Sequence, residues 1–171
     1  MRKAALAAVA AVFVFAGPAF ARMPFEAVGP KKHAHRPHMR VRANGRVRIY
    51  GHVPRKVRQI VHAGNKIATT PYVWGGGHGA WEAFGYDCSG SVSYALHRAG
   101  LLGIPETSGS LTAYGRPGPG RWVTIYADSG HVWMTVGKLR FDTIARKATG
   151  SRWSAAPGNA GGMAVRHPAG L

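Results

Sequence analysis

The stretch GYDCSGSVSYALHRAG, residues 85–100, decides the fold. Val92, Ala95, Leu96 and Ala99 recur at helical spacing, which predicts a helix starting at Asp87 or Cys88. Gly100 ends it, because glycine tolerates the left-handed conformation of a helix terminus. Asp87 is a good N-cap. Cys88, the single cysteine of the chain, therefore falls in the first turn. Unpaired backbone N–H groups there favour a thiolate and, later, an oxyanion. Ser89 and Gly90 keep that turn small, so a substrate backbone can reach the sulfur. A buried, inert cysteine is a common alternative, but Gly, Asp, Ser and Gly do not build an apolar pocket around it.

Upstream, Val57, Ile60, Val61, Gly64 and Ile67 predict a first helix beginning near Pro54 and ended by Thr69, Thr70 and Pro71. Residues 72–77, Tyr-Val-Trp-Gly-Gly-Gly, form a glycine-rich loop that admits close backbone approach. Residues 101–120, with Pro105, Pro117 and Pro119, read as a long connection. After it the period changes. Residues 122–127, 131–136 and 139–143 read as three strands, with turns at 128–130 and at Gly137-Lys138. Residues 163–167 can close the sheet. Helices followed by antiparallel strands predict an α+β domain over 54–171.

A thiol nucleophile needs a base that later serves as an acid for the leaving amine. The chain has nine histidines. His33, His35 and His38 lie in a basic stretch, His52 and His62 precede or occupy the first helix, His97 is mid-helix and His167 is near the C-terminus. None of these has a reason to face a cysteine. His78, in the glycine-rich loop, is a weaker candidate. His131 ranks first, because it opens a strand directly after Gly130 and can project from a sheet edge towards a helix terminus. Asp142, beyond the hairpin turn, lies roughly opposite and can hold the second imidazole nitrogen. Its competing role is an ion pair with one of the many basic side chains.

The chain has 171 residues and a net charge of +17. Arg2 and Lys3, an apolar run over 4–20 and the small-x-small pattern at Ala19 and Ala21 predict a signal peptide cleaved after Ala21. An uncleaved membrane anchor is the rival, but the run is alanine-rich and slightly short for a span. The protein is then expected to be secreted or wall-associated. A lone cysteine in an exported chain excludes an internal disulfide and marks a reactive thiol or an intermolecular bridge. Residues 22–53 are rich in Lys, Arg, His and Pro and read as a basic flexible linker, with a short strand possible over 46–50. That charge suits anionic envelope polymers or lipids better than nucleic acid in an exported protein.

The pattern Tyr72-x-Trp-Gly-Gly-Gly, then Gly85-Tyr-Asp-Cys-Ser-Gly90 with Val92, then Gly130-His-Val132 resembles the NlpC family of bacterial cell-wall cysteine peptidases. The resemblance implies a papain-like fold in which the nucleophile helix packs on an antiparallel sheet carrying the histidine. It implies acyl-enzyme cleavage of peptidoglycan stem peptides, typically between D-glutamate and a diamino acid, without metal or organic cofactor. By position, Cys88 is the nucleophile and His131 the base, while Tyr72, Asp87 and Ser89 match residues that shape the cleft and bind substrate upstream of the cut. Two positions depart from the family pattern. Residues 119–122, Pro-Gly-Arg-Trp, replace the usual Gly-Asp-Leu before the histidine strand, and Asp142 stands where His, Asn or Gln is common. An amidase or acyltransferase on the same scaffold is a neighbouring reading. A non-catalytic, cationic envelope-binding protein is a third, against which the intact Cys-His pair counts. A monomer is expected.

Overall fold

The computed structural model describes residues 37–171. The expected signal peptide and residues 22–36 of the basic segment lie outside them. In chain order the elements are β1 (His38–Val41), β2 (Val47–Tyr50), α1 (Arg55–Lys66), α2 (Cys88–Arg98), α3 (Ser108–Leu111), β3 (Arg116–Pro117), β4 (Val123–Ala127), β5 (Val132–Val136), β6 (Leu139–Phe141), α4 (Thr143–Thr149), β7 (Trp153–Ser154) and β8 (Ala164–His167). The last six strands form one antiparallel sheet in the order β3-β8-β4-β5-β6-β7. α2 packs on α1 and on β5. This is the α+β, papain-like arrangement, with the cysteine helix laid against the antiparallel sheet.

Alternation sets the sheet's register. Val123, Ile125 and Ala127 of β4, Val132, Met134 and Val136 of β5, and Leu139 and Phe141 of β6 are all buried against the helices. A slip by one residue would turn every one of them outward. On the opposite face the paired Tyr126 and Trp133 stack with ring centroids 4.1 Å apart. Gly158 lies so close over Trp133 that a Cβ there would come within 2.6 Å of the indole. The β5–β6 turn is the two-residue Gly137-Lys138 hairpin expected, with Gly137 at φ 61°.

Several sequence expectations need correction. The reading of residues 22–53 as a flexible linker fails from residue 38 onward. There β1 and β2 form a hairpin, with β2 against α1 and β1 against β6. Val47 is buried, and the Asn65 side chain accepts from its N–H and donates to its C=O, at 2.7 and 2.9 Å, as a neighbouring strand would. Apolar alternation in this hairpin is hidden among arginines, which left only β2 visible in the sequence. Residues 101–120 are not merely a connection: Thr107 caps α3, and β3 pairs with β8. The strand expected over 139–143 stops at Phe141, since Asp142 turns the chain into α4 by accepting the N–H of Ile144.

One side chain ties these parts together. Arg152, immediately before β7, is completely buried. Its Nε donates to Ser91 Oγ (2.9 Å), one terminal nitrogen to Ile67 O, Thr70 O and Thr70 Oγ1, and the other to Pro71 O and Tyr86 O. Burial lowers its pKa from 12.5 to about 10, which leaves it charged at neutral pH. Removing the guanidinium returns a desolvation cost of several kcal/mol. It also removes six hydrogen bonds to a charged donor, each contributing roughly 1.5–3 kcal/mol. The lost bonds outweigh the relief. Arg152→Met is expected to lower unfolding free energy by about 3 kcal/mol or more, read by urea denaturation; a loss below about 1 kcal/mol would refute this role.

Candidate active site

Cys88 opens α2 and is partly exposed. Asp87 caps the helix. Its Oδ1 accepts the N–H of Gly90 at 2.7 Å and the Ser89 hydroxyl at 3.2 Å, and its Oδ2 accepts the N–H of Gly75 at 3.0 Å. One carboxylate thus fixes the helix start and pins the glycine-rich loop against it. The fit is tight: a Cβ on Gly90 would collide with the Gly76 carbonyl oxygen. Glycine at position 90 is what lets loop and helix meet.

His131 precedes β5, and its backbone is set by Asp128, whose Oδ1 accepts the N–H groups of Gly130 and His131, both at 2.7 Å. Those two bonds hold the Asp128 carboxyl below its usual range. The imidazole Nε2 lies 3.0 Å from Asp142 Oδ1, and Asp142 is buried. Continuing the β5–β6 register puts Asp142 opposite Trp133, so it reaches His131 diagonally across the pair. Its alternative partner, Arg140, is present but farther, with Nε 3.8 Å from Oδ2. With Nε2 engaged, Nδ1 is the ring nitrogen left for Cys88. Hydrogen bonding to Asp142, then to Cys88, raises the His131 pKa from 6.5 to about 9 against the opposing effect of burial. An imidazolium beside the sulfur is the counter-charge a thiolate needs.

The structure therefore brings Cys88, His131 and Asp142 into one cluster. Tyr72 stands beside it, half exposed: burial and the neighbouring Cys88 and Asp87 raise its phenol pKa. Asp87 and Ser89 are buried and bonded to each other, with His78 Nε2 at 3.2 Å from Asp87 Oδ1 and 3.1 Å from Ser89 Oγ. His78, ranked second as a base, is thus engaged with the cap of α2. Its only sequence signal was a place in the glycine-rich loop. Arg152 and Asp128 were missed as site-forming residues, since a lone arginine and a turn aspartate look like surface. Among the described residues no group of three or more His, Cys, Asp or Glu side chains could hold a metal ion.

Residues 69–141 match the model of the NlpC/P60 family. Probable endopeptidases of Mycobacterium tuberculosis and Mycobacterium bovis are 33% identical over 84 residues, which is 46% of this chain and 20% of theirs. The chain thus spans about a fifth of the length of the curated relatives it matches. Two solved structures are similar. One is RipD of Mycobacterium tuberculosis, described as a non-catalytic NlpC/p60 domain protein adapted to peptidoglycan binding; identity is 20%, with 67% of this chain and 98% of that one covered, at a TM-score of 0.49. The other is an NlpC/P60 family protein from Bacillus cereus, 21% identical, covering 71% of this chain and 44% of that one, at a TM-score of 0.48.

The raised His131 pKa has a definite consequence for stability. A group whose folded pKa exceeds its unfolded value contributes fully below about 6.5 and loses that contribution as pH rises through about 9. NMR titration of the His131 ring is expected to give a midpoint near 9, falling towards 6.5 in Asp142→Asn. A wild-type midpoint near 6.5 would show that the pair does not hold the proton.

Proposed function

We propose that this chain, whose residues 69–141 match the model of the NlpC/P60 family, is a cysteine peptidase hydrolysing peptidoglycan stem peptides, at the bond between D-glutamate and a diamino acid. The observation that carries the reading is the His131–Asp142 pair, 3.0 Å apart, set against Cys88 at a helix start. In the reading, the Cys88 thiolate attacks the scissile carbonyl carbon. Of the first N–H groups of α2, that of Gly90 goes to the Asp87 carboxylate and that of Ser91 to the Asp87 carbonyl. Those of Cys88 and Ser89 are left to face the oxyanion. As the carbon–nitrogen bond breaks, His131 gives its proton to the departing amine, and a thioester remains on Cys88. Water then attacks the thioester while His131 takes its proton, releasing the carboxylate and restoring the resting pair. Asp142 keeps the imidazole oriented and its charge compensated throughout. Tyr72, Asp87 and Ser89 shape the side of the cleft that holds the substrate upstream of the cut, and no cofactor is required.

The same reading places the protein, as a monomer, outside the cytoplasm after cleavage following Ala21, with its basic N-terminal segment held by anionic envelope polymers. Intact-mass measurement of protein recovered from culture medium should give Arg22 as the first residue; a mature chain retaining residues 1–21 would refute export by cleavage.

Digestion of purified peptidoglycan, with released fragments identified by mass, tests both bond and reaction. Wild type is expected to release fragments ending in D-glutamate, and Cys88→Ala none. Equal release by Cys88→Ala would end the catalytic reading. Asp142→Ala should lower turnover by roughly 10²-fold while Cys88 remains open to alkylation. Undiminished turnover would remove Asp142 from the mechanism.

A further inference from the structure

α1 concentrates its charge in one stripe. Arg55, Arg58, His62 and Lys66 follow at spacings of three and four residues, all are exposed, and the first turn holds no acid. Arg55 and Arg58, three residues apart, repel one another, and cations in the first turn oppose the helix dipole. The fold itself answers only part of this cost. Lys66 meets Glu82 at 2.8 Å, Arg58 donates to the Val53 carbonyl, and Lys56 donates to the Ala99 carbonyl at the end of α2. None of the described side-chain hydrogen bonds or ion pairs answers Arg55.

A groove runs along each side of the stripe. One, of about 580 Å³, is lined by Arg58, Gln59, His62, Lys66 and Arg98 over a floor of Ala63 and Tyr94. The other, of about 400 Å³, lies between β2 and α1 and brings in Arg48 and Asn65. Arg58 and His62 line both, the one carboxylate bonded to a lining residue is Glu82, which holds Lys66 and the Tyr94 hydroxyl at the edge of the first groove, and no residue of the Cys88 cluster contributes.

We propose that these two grooves bind a linear polyol phosphate, a phosphodiester polymer whose repeats carry free hydroxyl groups. Three observations select that partner. Cations spread over the roughly 12 Å between Arg58 and Lys66, with Arg48 and Arg98 in the flanking walls, suit a repeating anion better than a single one. The exposed large apolar side chains, Tyr72, Val73, Trp74, Phe84, Ile104 and Ile144, line neither groove, so nothing there anchors in a bilayer. Of the two rings in the lining, Tyr94 is fully buried and His62 stands alone, so the grooves lack the series of platforms on which successive nucleobases stack. A polyol phosphate needs neither anchor nor platform. The binding is independent of the hydrolytic reading.

The test uses the full chain, with poly(glycerol phosphate) as probe at physiological salt. Replacing Arg48, Arg58 and Arg98 by Gln is expected to weaken binding roughly tenfold and to flatten its dependence on log salt. A charge-matched control, with Gln at the exposed Arg116, Arg121 and Lys147, should change binding less than twofold. Turnover and unfolding midpoint of the groove variant should stay at wild-type values, which separates lost binding from lost folding. Equal weakening in both variants would show diffuse charge rather than a site. Equal or tighter groove-dependent binding of phosphatidylglycerol vesicles or of a single-stranded oligonucleotide would reassign the surface to those partners and overturn the proposal.

Discussion

The guanidinium of Arg152 is the constraint on which the site's geometry rests. It has no carboxylate partner; the carbonyls of Ile67, Thr70, Pro71 and Tyr86 and the Ser91 hydroxyl surround it instead. Four carbonyl dipoles compensate a buried charge only if they converge, and convergence is what the site needs. The loop from 67 to 71 leads directly into Tyr72, Tyr86 precedes the Asp87 cap, and Ser91 sits in the first turns of α2. One planar, five-donor group from the far end of the chain therefore sets three segments around the cysteine at once. A lysine, with a single point of charge, could not reach them together.

The aspartates show a second economy. The chain has only three, in a protein of net charge +17, and each bonds a backbone N–H beside the site. Asp87 starts α2 and tethers the glycine-rich loop. Asp128 fixes the backbone of His131. Asp142 holds the His131 ring while starting α4. This double duty explains how a carboxylate stays buried among so many cations without being drawn into surface ion pairs. At Asp142 the contest between His131 and Arg140 is decided by distance, 3.0 Å against 3.8 Å.

Much of this was legible in the sequence because each reading had a local cause. Periodicity and a capping aspartate located α2, the Gly137-Lys138 pair located the hairpin, and the change of period separated helices from sheet. What was illegible depended on long-range partners. The β1–β2 hairpin is held by Asn65 and Ser151, far along the chain, and its apolar residues alternate with arginines that mimic a solvated tail. Arg152 lies in Ser-Arg-Trp-Ser, which carries no sign of burial. α4 escaped because Asp142 was read as the end of a strand, whereas its side chain turns the backbone into a helix.

Charge is partitioned rather than spread. Around Cys88 the compensation is internal: partly or fully buried, hydrogen-bonded and within a few ångströms. Along α1 the cations are exposed and only partly compensated by the fold. These two regimes respond differently to the medium, because salt screens exposed charges beyond a Debye length of about 10 Å at 0.1 M but reaches buried pairs far less. The His131–Asp142 pair, with the Asp142 side chain only 2% exposed, is therefore insulated from the ionic strength that governs the outer face. A strongly cationic surface can thus serve attraction without disturbing the proton balance at the cysteine. The two properties are separable by mutation because no side chain is shared between them.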